Sequence, residues 1–324
     1  MEPLIETRSL VKHFPIKAGF WSRTVANIHA VDSVDLSINR GETVGLVGES
    51  GCGKTTLARC LLRLIEPTSG QVLFEGKEIL GLGDRELREI RSRMQIVFQD
   101  PFGSLSPRQT VLDIVGEPLL IRGVAKGKEL RERVLDLILR VGLTQDHLYR
   151  LPHEFSGGQR QRIGVARALV LHPSFVVLDE PTSALDVSVQ AQILNLLKDL
   201  QREMQLTYLF ISHDLSVVKH MSNRIAVMYL AKVVEIGPTD EVFVKPIHPY
   251  ARALLSSLLV PDPDAKPPEL LLRGELDVPS PINPPSGCRF HSRCPLAEPE
   301  CGTMEPELVE IAPGHLVACH KEAK

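Results

Sequence analysis

The stretch Gly48-Glu49-Ser50-Gly51-Cys52-Gly53-Lys54-Thr55 has the spacing G-x-x-x-x-G-K-[ST], and its residue types suit the holding of phosphate. Glycines permit backbone angles that turn successive N–H groups inward. Those amides, with the start of a following helix, make a cradle for phosphate oxygens. Lys54 can reach the β- and γ-phosphates, Thr55 can bind Mg²⁺, and Thr56 belongs to the same turn. A second stretch, Phe175-Val176-Val177-Leu178-Asp179-Glu180, ends a run of four apolar residues in two carboxylates. The ends of such strands are where ligands of open α/β sheets sit. Asp179 suits a direct or water-mediated Mg²⁺ contact, and Glu180 can polarise an attacking water. A Gly-rich turn or a pair of acids after a strand is ordinary on its own. The two together point to hydrolysis of a nucleoside triphosphate.

The surrounding sequence supplies elements to position these residues. Thr43–Val47 reads as a buried strand running into the Gly-rich turn, followed by a helix from about Thr55 to Leu64. Phe175–Asp179 and Leu206–Ser212 read as further buried strands. Val189, Ile193, Leu196, Leu197 and Leu200 form a helical stripe between them. Buried strands separated by helices imply a layered α/β core. Between Pro107 and Leu169 the pattern is helical throughout, as in an insertion. Beyond Pro238, prolines at 261, 263, 267, 268, 279, 281, 284 and 285 predict an irregular tail. There is no internal repeat.

Composition narrows the function. In 324 residues, 43% are hydrophobic, and 37 basic against 40 acidic side chains leave a net charge of −3. A general nucleic-acid binder would carry a basic excess. No apolar run approaches the ~18 residues of a membrane span. Met1–Leu10 carries acids and no apolar signal-peptide core. The expectation is a chain kept in the cytosol, with any membrane part supplied by a partner.

Ser156-Gly157-Gly158-Gln159, followed by Arg160-Gln161-Arg162, resembles the signature of ABC ATPases, with Phe155 in the usual Leu position. A serine N-cap and two glycines opening a helix that runs to about Val170 form a second anion site. In that family each signature closes on the ATP of a partner cassette in a head-to-tail dimer. Other positions match in order. Gln99 in Val97-Phe98-Gln99-Asp100-Pro101 resembles the Q-loop glutamine, which senses Mg²⁺ and water. Ser183-Ala184-Leu185-Asp186 resembles the D-loop, and His213 resembles the switch histidine on the γ-phosphate. Phe14 is the candidate for stacking on adenine, with His13, Phe20 and Trp21 as alternatives. The resemblance spans about Leu4 to Gly237. It implies an α/β P-loop core with an antiparallel β edge, a helical insertion and an irregular C-terminal extension. It also implies Mg²⁺ held through Thr55, Gln99 and Asp179.

Three segments narrow the subfamily. Asp100 to Arg108, Pro246-Ile247-His248-Pro249-Tyr250, and the insert between Phe14 and Ala30 resemble the ATPases of oligopeptide and dipeptide permeases, the F-type subunit more than its D-type companion. The implied organisation is a nucleotide-binding domain over 1–240, with helices at about 105–170, and a C-terminal extension over 241–324. The implied partners are a second ATPase subunit (a D-type heterodimer, or a homodimer), two transmembrane permease subunits and, indirectly, an extracytoplasmic substrate-binding protein. Nucleic acid is not among them. The implied place is the cytoplasmic face of the membrane. Peptide is the default cargo; related importers carry nickel, sugars or antimicrobial peptides. A soluble ABC ATPase unlinked to transport is the other reading, but such chains generally carry two cassettes or a long coiled coil, and neither is present.

Cys288, Cys294, Cys301 and Cys319 fall within the last 37 residues, spaced x₅, x₆ and x₁₇. Four thiolates on an irregular backbone suit a tetrahedral metal or an iron–sulfur cube. The tight C-x₂₋₄-C knuckles usual for zinc are missing, and a reducing cytosol disfavours disulfides. The settings Gly287-Cys288-Arg289-Phe290, Arg293-Cys294-Pro295 and Ala318-Cys319-His320 resemble the tail of peptide-permease ATPases proposed to hold a [4Fe-4S] cluster. Zinc, a disulfide or free thiols remain open alternatives. Such a cluster would act as a staple or redox sensor, because nothing in sequence links it to the phosphate site. Arg289, His291 and Arg293 either offset its charge or, as is commoner for cations in a tail, are solvated.

Overall fold

The computed structural model describes residues 2–18, 23–99, 101–256 and 279–322. Phe20, Trp21 and Asp100 lie outside these. The strands, in chain order, are β1 (Ile5–Ala18), β2 (Arg23–Ile38), β3 (Thr43–Val47), β4 (Ser69–Phe74), β5 (Lys77–Glu78), β6 (Met94–Val97), β7 (Phe175–Asp179), β8 (Thr207–Ile211), β9 (Arg224–Tyr229), β10 (Lys232–Pro238), β11 (Val309–Ala312) and β12 (His315–Val317). The chain forms two compact units. One comprises Met1–Ile38, Thr43–Gly81 and Ser212–Lys324; the other comprises Asn39–Glu42 and Leu82–Ile211.

The first unit holds an antiparallel sheet in the order β2-β1-β4-β5 and a second group in the order β11-β12-β10-β9-β3. Every residue of β3 is buried, and it runs parallel to β9. Such two-sided burial explains its unbroken apolar run. Gly45 in β3 leaves room for the helix Leu215–Met221: a Cβ there would lie 2.5 Å from Val218 Cγ1 and from Ser222 Oγ. The helix after the Gly-rich turn is Lys54–Leu61. It stops short of Leu64 because Arg63 turns left-handed (φ 49°) and its N–H bonds Cys60 O at 2.9 Å.

In the second unit β6, β7 and β8 run parallel in that order. Helices Val111–Ile121, Gly127–Arg140 and Gly157–Leu169 occupy the stretch without strands. Of the predicted stripe, the helix Val187–Met204 buries Ile193, Leu197 and Leu200, with Leu194 in addition, while Val189 and Leu196 are half-buried.

The tail is more regular than its prolines predicted. Pro249–Ser256 is a helix, and β11 and β12 form a hairpin, joined by Pro313-Gly314, that extends the group through β10. Pro-Gly suits a tight turn, with Gly314 at φ 72°. The anchor is Glu235 on β10, whose side chain is fully buried. Its carboxylate accepts from the N–H groups of Ile247 (3.0 Å) and His248 (2.7 Å) and pairs with His315 Nε2 at 2.8 Å. Removing one member of a buried hydrogen-bonded pair strands the others, at a cost of about 3–5 kcal/mol. Glu235→Ala is therefore expected to lower the unfolding free energy measured in urea by that order, loosening the tail first. A loss below about 1 kcal/mol would show that the tail is anchored elsewhere.

Candidate functional site

The phosphate loop leaves β3 at Val47 and enters the helix at Lys54. Two glycines are imposed by close backbone approach. A Cβ on Gly48 would lie 2.1 Å from Met228 O, and one on Gly53, at φ 110°, would lie 1.9 Å from Ala30 O. Gly53 is the N-cap and supplies no side-chain hydrogen bond. With no cap side chain in the way, the start of this helix, which carries Thr55 and Thr56 in its first turn, is open to an approaching anion. Lys54 is buried, and its ammonium donates to Gly48 O (2.7 Å) and Glu49 O (3.0 Å). Ser50 and Gly51 are exposed at the tip of the loop. Cys52 is buried, and burial raises its thiol pKa, keeping it an unreactive packing group. His213 is exposed just before the helix Leu215–Met221. That helix is capped by Asp214, which accepts from the Ser216 and Val217 N–H groups.

In the second unit β7 delivers a buried Asp179 (4% exposed). Glu180 follows in left-handed conformation at φ 47°. Its N–H donates to Ile211 O at 2.9 Å, and its Oε2 accepts from Gln99 Nε2 at 2.8 Å. The glutamine and carboxylate singled out 81 positions apart are therefore in direct contact. Strain on a non-glycine residue beside such a contact is typical of functional sites. Ser183 closes the next turn by donating to Glu180 O through its hydroxyl (3.2 Å).

The signature opens its helix with a capping box. Ser156 Oγ accepts from Gln159 N–H (3.3 Å), and Gln159 Oε1 accepts from Ser156 N–H (3.0 Å). Its glycines have a packing role that sequence did not reveal. A Cβ on Gly158 would lie 2.4 Å from Val189 Cγ1, and one on Gly157 would lie 3.3 Å from Leu185 Cδ2. Signature and D-loop thus interlock, with Ala184 between Ser183 and Leu185, and Asp186 opening the helix Val187–Met204. Val187 is 84% exposed.

Of the aromatic candidates for adenine, His13 stacks on His29 (4.0 Å between centroids) beside Asp32. Phe14 is half-buried under Lys12, whose Nζ lies 4.8 Å from its ring.

In the tail, Cys288, Cys294, Cys301 and Cys319 line one cavity together with Phe290 and His248. All are free thiols. Burial, and secondarily the neighbouring sulfurs, raise Cys288 to about 11 and raise Cys294 as well. A metal binding there must displace their protons. Burial pushes His248 down to about 3, so it stays neutral, its Nδ1 accepting from Tyr250 N–H at 3.0 Å.

The expectation that the tail's cations are solvated is wrong for two of them. Arg289 is 9% and Arg293 4% exposed, because each has a half-buried carboxylate partner in the same unit. Arg289 is paired with Asp32. Arg293 donates to both carboxylate oxygens of Glu49 at 3.1–3.2 Å and to Tyr229 Oη at 3.4 Å. Burial opposes its charge, but these bonds outweigh it and raise its pKa. Tyr250 Oη accepts the Glu49 N–H at 2.9 Å. The tail therefore touches the phosphate loop, a link with no local sequence signal.

Comparison with known proteins gives two family matches. A family profile described as ABC transporter matches residues 31–183. One described as oligopeptide/dipeptide transporter, C-terminal region, matches residues 234–301. The oligopeptide transport ATP-binding protein AppF of Bacillus subtilis is 52% identical over 322 residues, covering 98% of this chain and 97% of that protein. The putative oligopeptide transport ATP-binding protein YkfD of the same organism is 54% identical, covering 98% and 95%. Among solved structures, the dimeric bacterial ABC transporter cassette MJ0796 superposes with a TM-score of 0.63 at 32% identity, covering 72% of this chain and 98% of that one. The cassette cbiO1 of Clostridium perfringens gives 0.64 at 28% identity, covering 76% and 92%.

The contact between signature and following helix is directly testable. Gly158→Ala should lower stability by about 1–3 kcal/mol through overpacking, and Val189→Ala in the same chain should restore most of it. Thermal unfolding of the single and double variants measures both. Simple additivity of the two losses would show that the pair does not interlock.

Proposed function

The chain belongs to the ATP-binding proteins of oligopeptide ABC transporters, and on that premise we propose how its residues drive transport. It is the ATP-hydrolysing motor subunit of a peptide importer. Among the described residues no helix is long and apolar enough to cross a membrane, so the channel belongs to permease subunits that this motor drives. We assign it to the cytoplasmic face as a peripheral subunit. We pair it with a second, D-type ATPase, and indirectly with a substrate-binding protein.

The observation that carries the mechanism is the 2.8 Å bond from Gln99 to Glu180. It fixes the orientation of the carboxylate that is to accept a proton from water. Glu180 polarises the water for in-line attack on the γ-phosphate. Lys54, held on the loop by two carbonyls and in weak contact with Cys52 Sγ at 3.7 Å, exchanges the sulfur contact for phosphate oxygen. His213, exposed at the start of its helix, contacts the γ-phosphate. Phe14 stacks on adenine. Mg²⁺ is assigned to Thr55, Gln99 and Asp179, an all-oxygen set suited to a hard cation, and would neutralise developing charge. The partner's signature closes each site, and this chain's Ser156–Gln159 closes the partner's.

For the tail we propose a [4Fe-4S] cluster on Cys288, Cys294, Cys301 and Cys319. Two features support it: the thiols line one cavity and are unpaired. When bound it would supply cross-linking and redox sensitivity; zinc is the alternative occupant.

Glu180→Gln should lower ATP turnover by about 10²–10⁴-fold while leaving equilibrium ATP binding intact; undiminished hydrolysis would remove the proposed role. Anaerobic purification followed by iron, sulfide and zinc analysis should give about four iron and four sulfide per chain. A zinc content near one would replace the cluster.

A further inference from the structure

We propose that Arg293 is a positioning residue for the phosphate loop, through which the occupancy of the four tail thiols sets nucleotide affinity. The occupancy part rests on the metal-centre reading above; the positioning part rests on the contacts alone. Each polar group of Glu49 is engaged. Its N–H donates to Tyr250 Oη, its carbonyl accepts from Lys54 Nζ at 3.0 Å, and its carboxylate takes both terminal nitrogens of Arg293. The residue gripped by the tail is thus the residue that holds the phosphate-binding ammonium. A bidentate guanidinium–carboxylate bond with the guanidinium almost fully buried fixes direction as well as distance.

At its other end Arg293 is tied to the thiols. It precedes Cys294 directly, and the intervening backbone is a compact turn: Arg293 N–H bonds Phe290 O at 3.0 Å and Cys294 N–H bonds His291 O at 3.3 Å. His291 Nδ1 lies 2.8 Å from Cys288 O, so the turn spans both cysteines. Phe290 packs edge-on against Tyr229 (5.2 Å) and Tyr250 (5.4 Å), the two tyrosines that also bond Arg293 and Glu49. A centre that gathers Cys288 and Cys294 immobilises this turn and seats the guanidinium. Loss of the centre frees the turn and leaves the Glu49 carboxylate without its partner. The carbonyl under Lys54 then shifts.

The test uses the full chain and equilibrium titration with a fluorescent ATP analogue, with iron, sulfide and zinc measured on every sample. Stripping the wild type with a chelator under reducing conditions should weaken binding by about tenfold, the scale of one charge-assisted bond. Arg293→Met should show a similar loss before stripping, with metal content unchanged, and little further loss after it. Arg293→Lys should recover part of the affinity. In steady state Arg293→Met should raise KM for ATP about tenfold and alter kcat by less than about twofold. Amide exchange at residues 48–55 should quicken in the stripped wild type. Should Arg293→Met fold poorly, Glu49→Gln tests the same bond from the other side. Full affinity in Arg293→Met, or an equal stripping loss with and without the arginine, overturns the proposal. A chain purified without iron or zinc, yet weakened by Arg293→Met, refutes the metal centre and upholds the positioning role.

Discussion

The structure depends on the way Lys54 is held. A buried ammonium must be satisfied by oxygen, and here the carbonyls of Gly48 and Glu49 provide it. Those carbonyls point at the lysine only because the loop is pressed against backbone on both flanks, at Met228 O and Ala30 O, where no side chain fits. The amide of the Gly48–Glu49 peptide faces the other way, onto Tyr250 Oη. Pre-setting these dipoles in the fold means little reorganisation is needed as charge builds on phosphate.

Much of this was legible in sequence because it is local. Thr43–Val47 and Phe175–Asp179 appear with the expected bounds, since a run of apolar residues ending in a Gly-rich turn or a pair of acids leaves few alternatives. Ser156 caps its helix because the serine and Gln159 are three residues apart, within reach of one turn. What escaped is long-range. Arg293 and Glu49 are separated by 244 positions and Arg289 and Asp32 by 257. Nothing around a tail arginine announces a partner so distant. The packing of Gly158 on Val189 was hidden for a different reason. The anion-binding reading already explained the glycine, so its steric demand raised no question. The hairpin Val309–Val317 lies beyond the prolines at 261–285 that imply an irregular tail, and its own signal is the single Pro313-Gly314 turn between two short runs.

The tail also shows how a nearly neutral chain uses buried charge. Asp32, Glu49 and Glu235 each receive a cationic or hydrogen-bonding partner from the C-terminal third. Buried ion pairs add little net stability, because desolvation offsets attraction. Their value is in specifying arrangement: a slip of the tail by one residue would strand three carboxylates at once. The irregular backbone between Cys288 and Cys319 is thereby held without a continuous sheet or helix.

The first unit is assembled from both extremes of the residue order: β3 and its loop come early, whereas Tyr250, Arg293 and β12 come after residue 248. During synthesis on the ribosome, the stretch Leu82–Ile211 has all its strands before the loop receives its brace. A nascent chain therefore carries the glycine-lysine turn for more than half its translation without the arginine that steadies it. Vectorial synthesis thus leaves the loop's brace to the last elements to emerge.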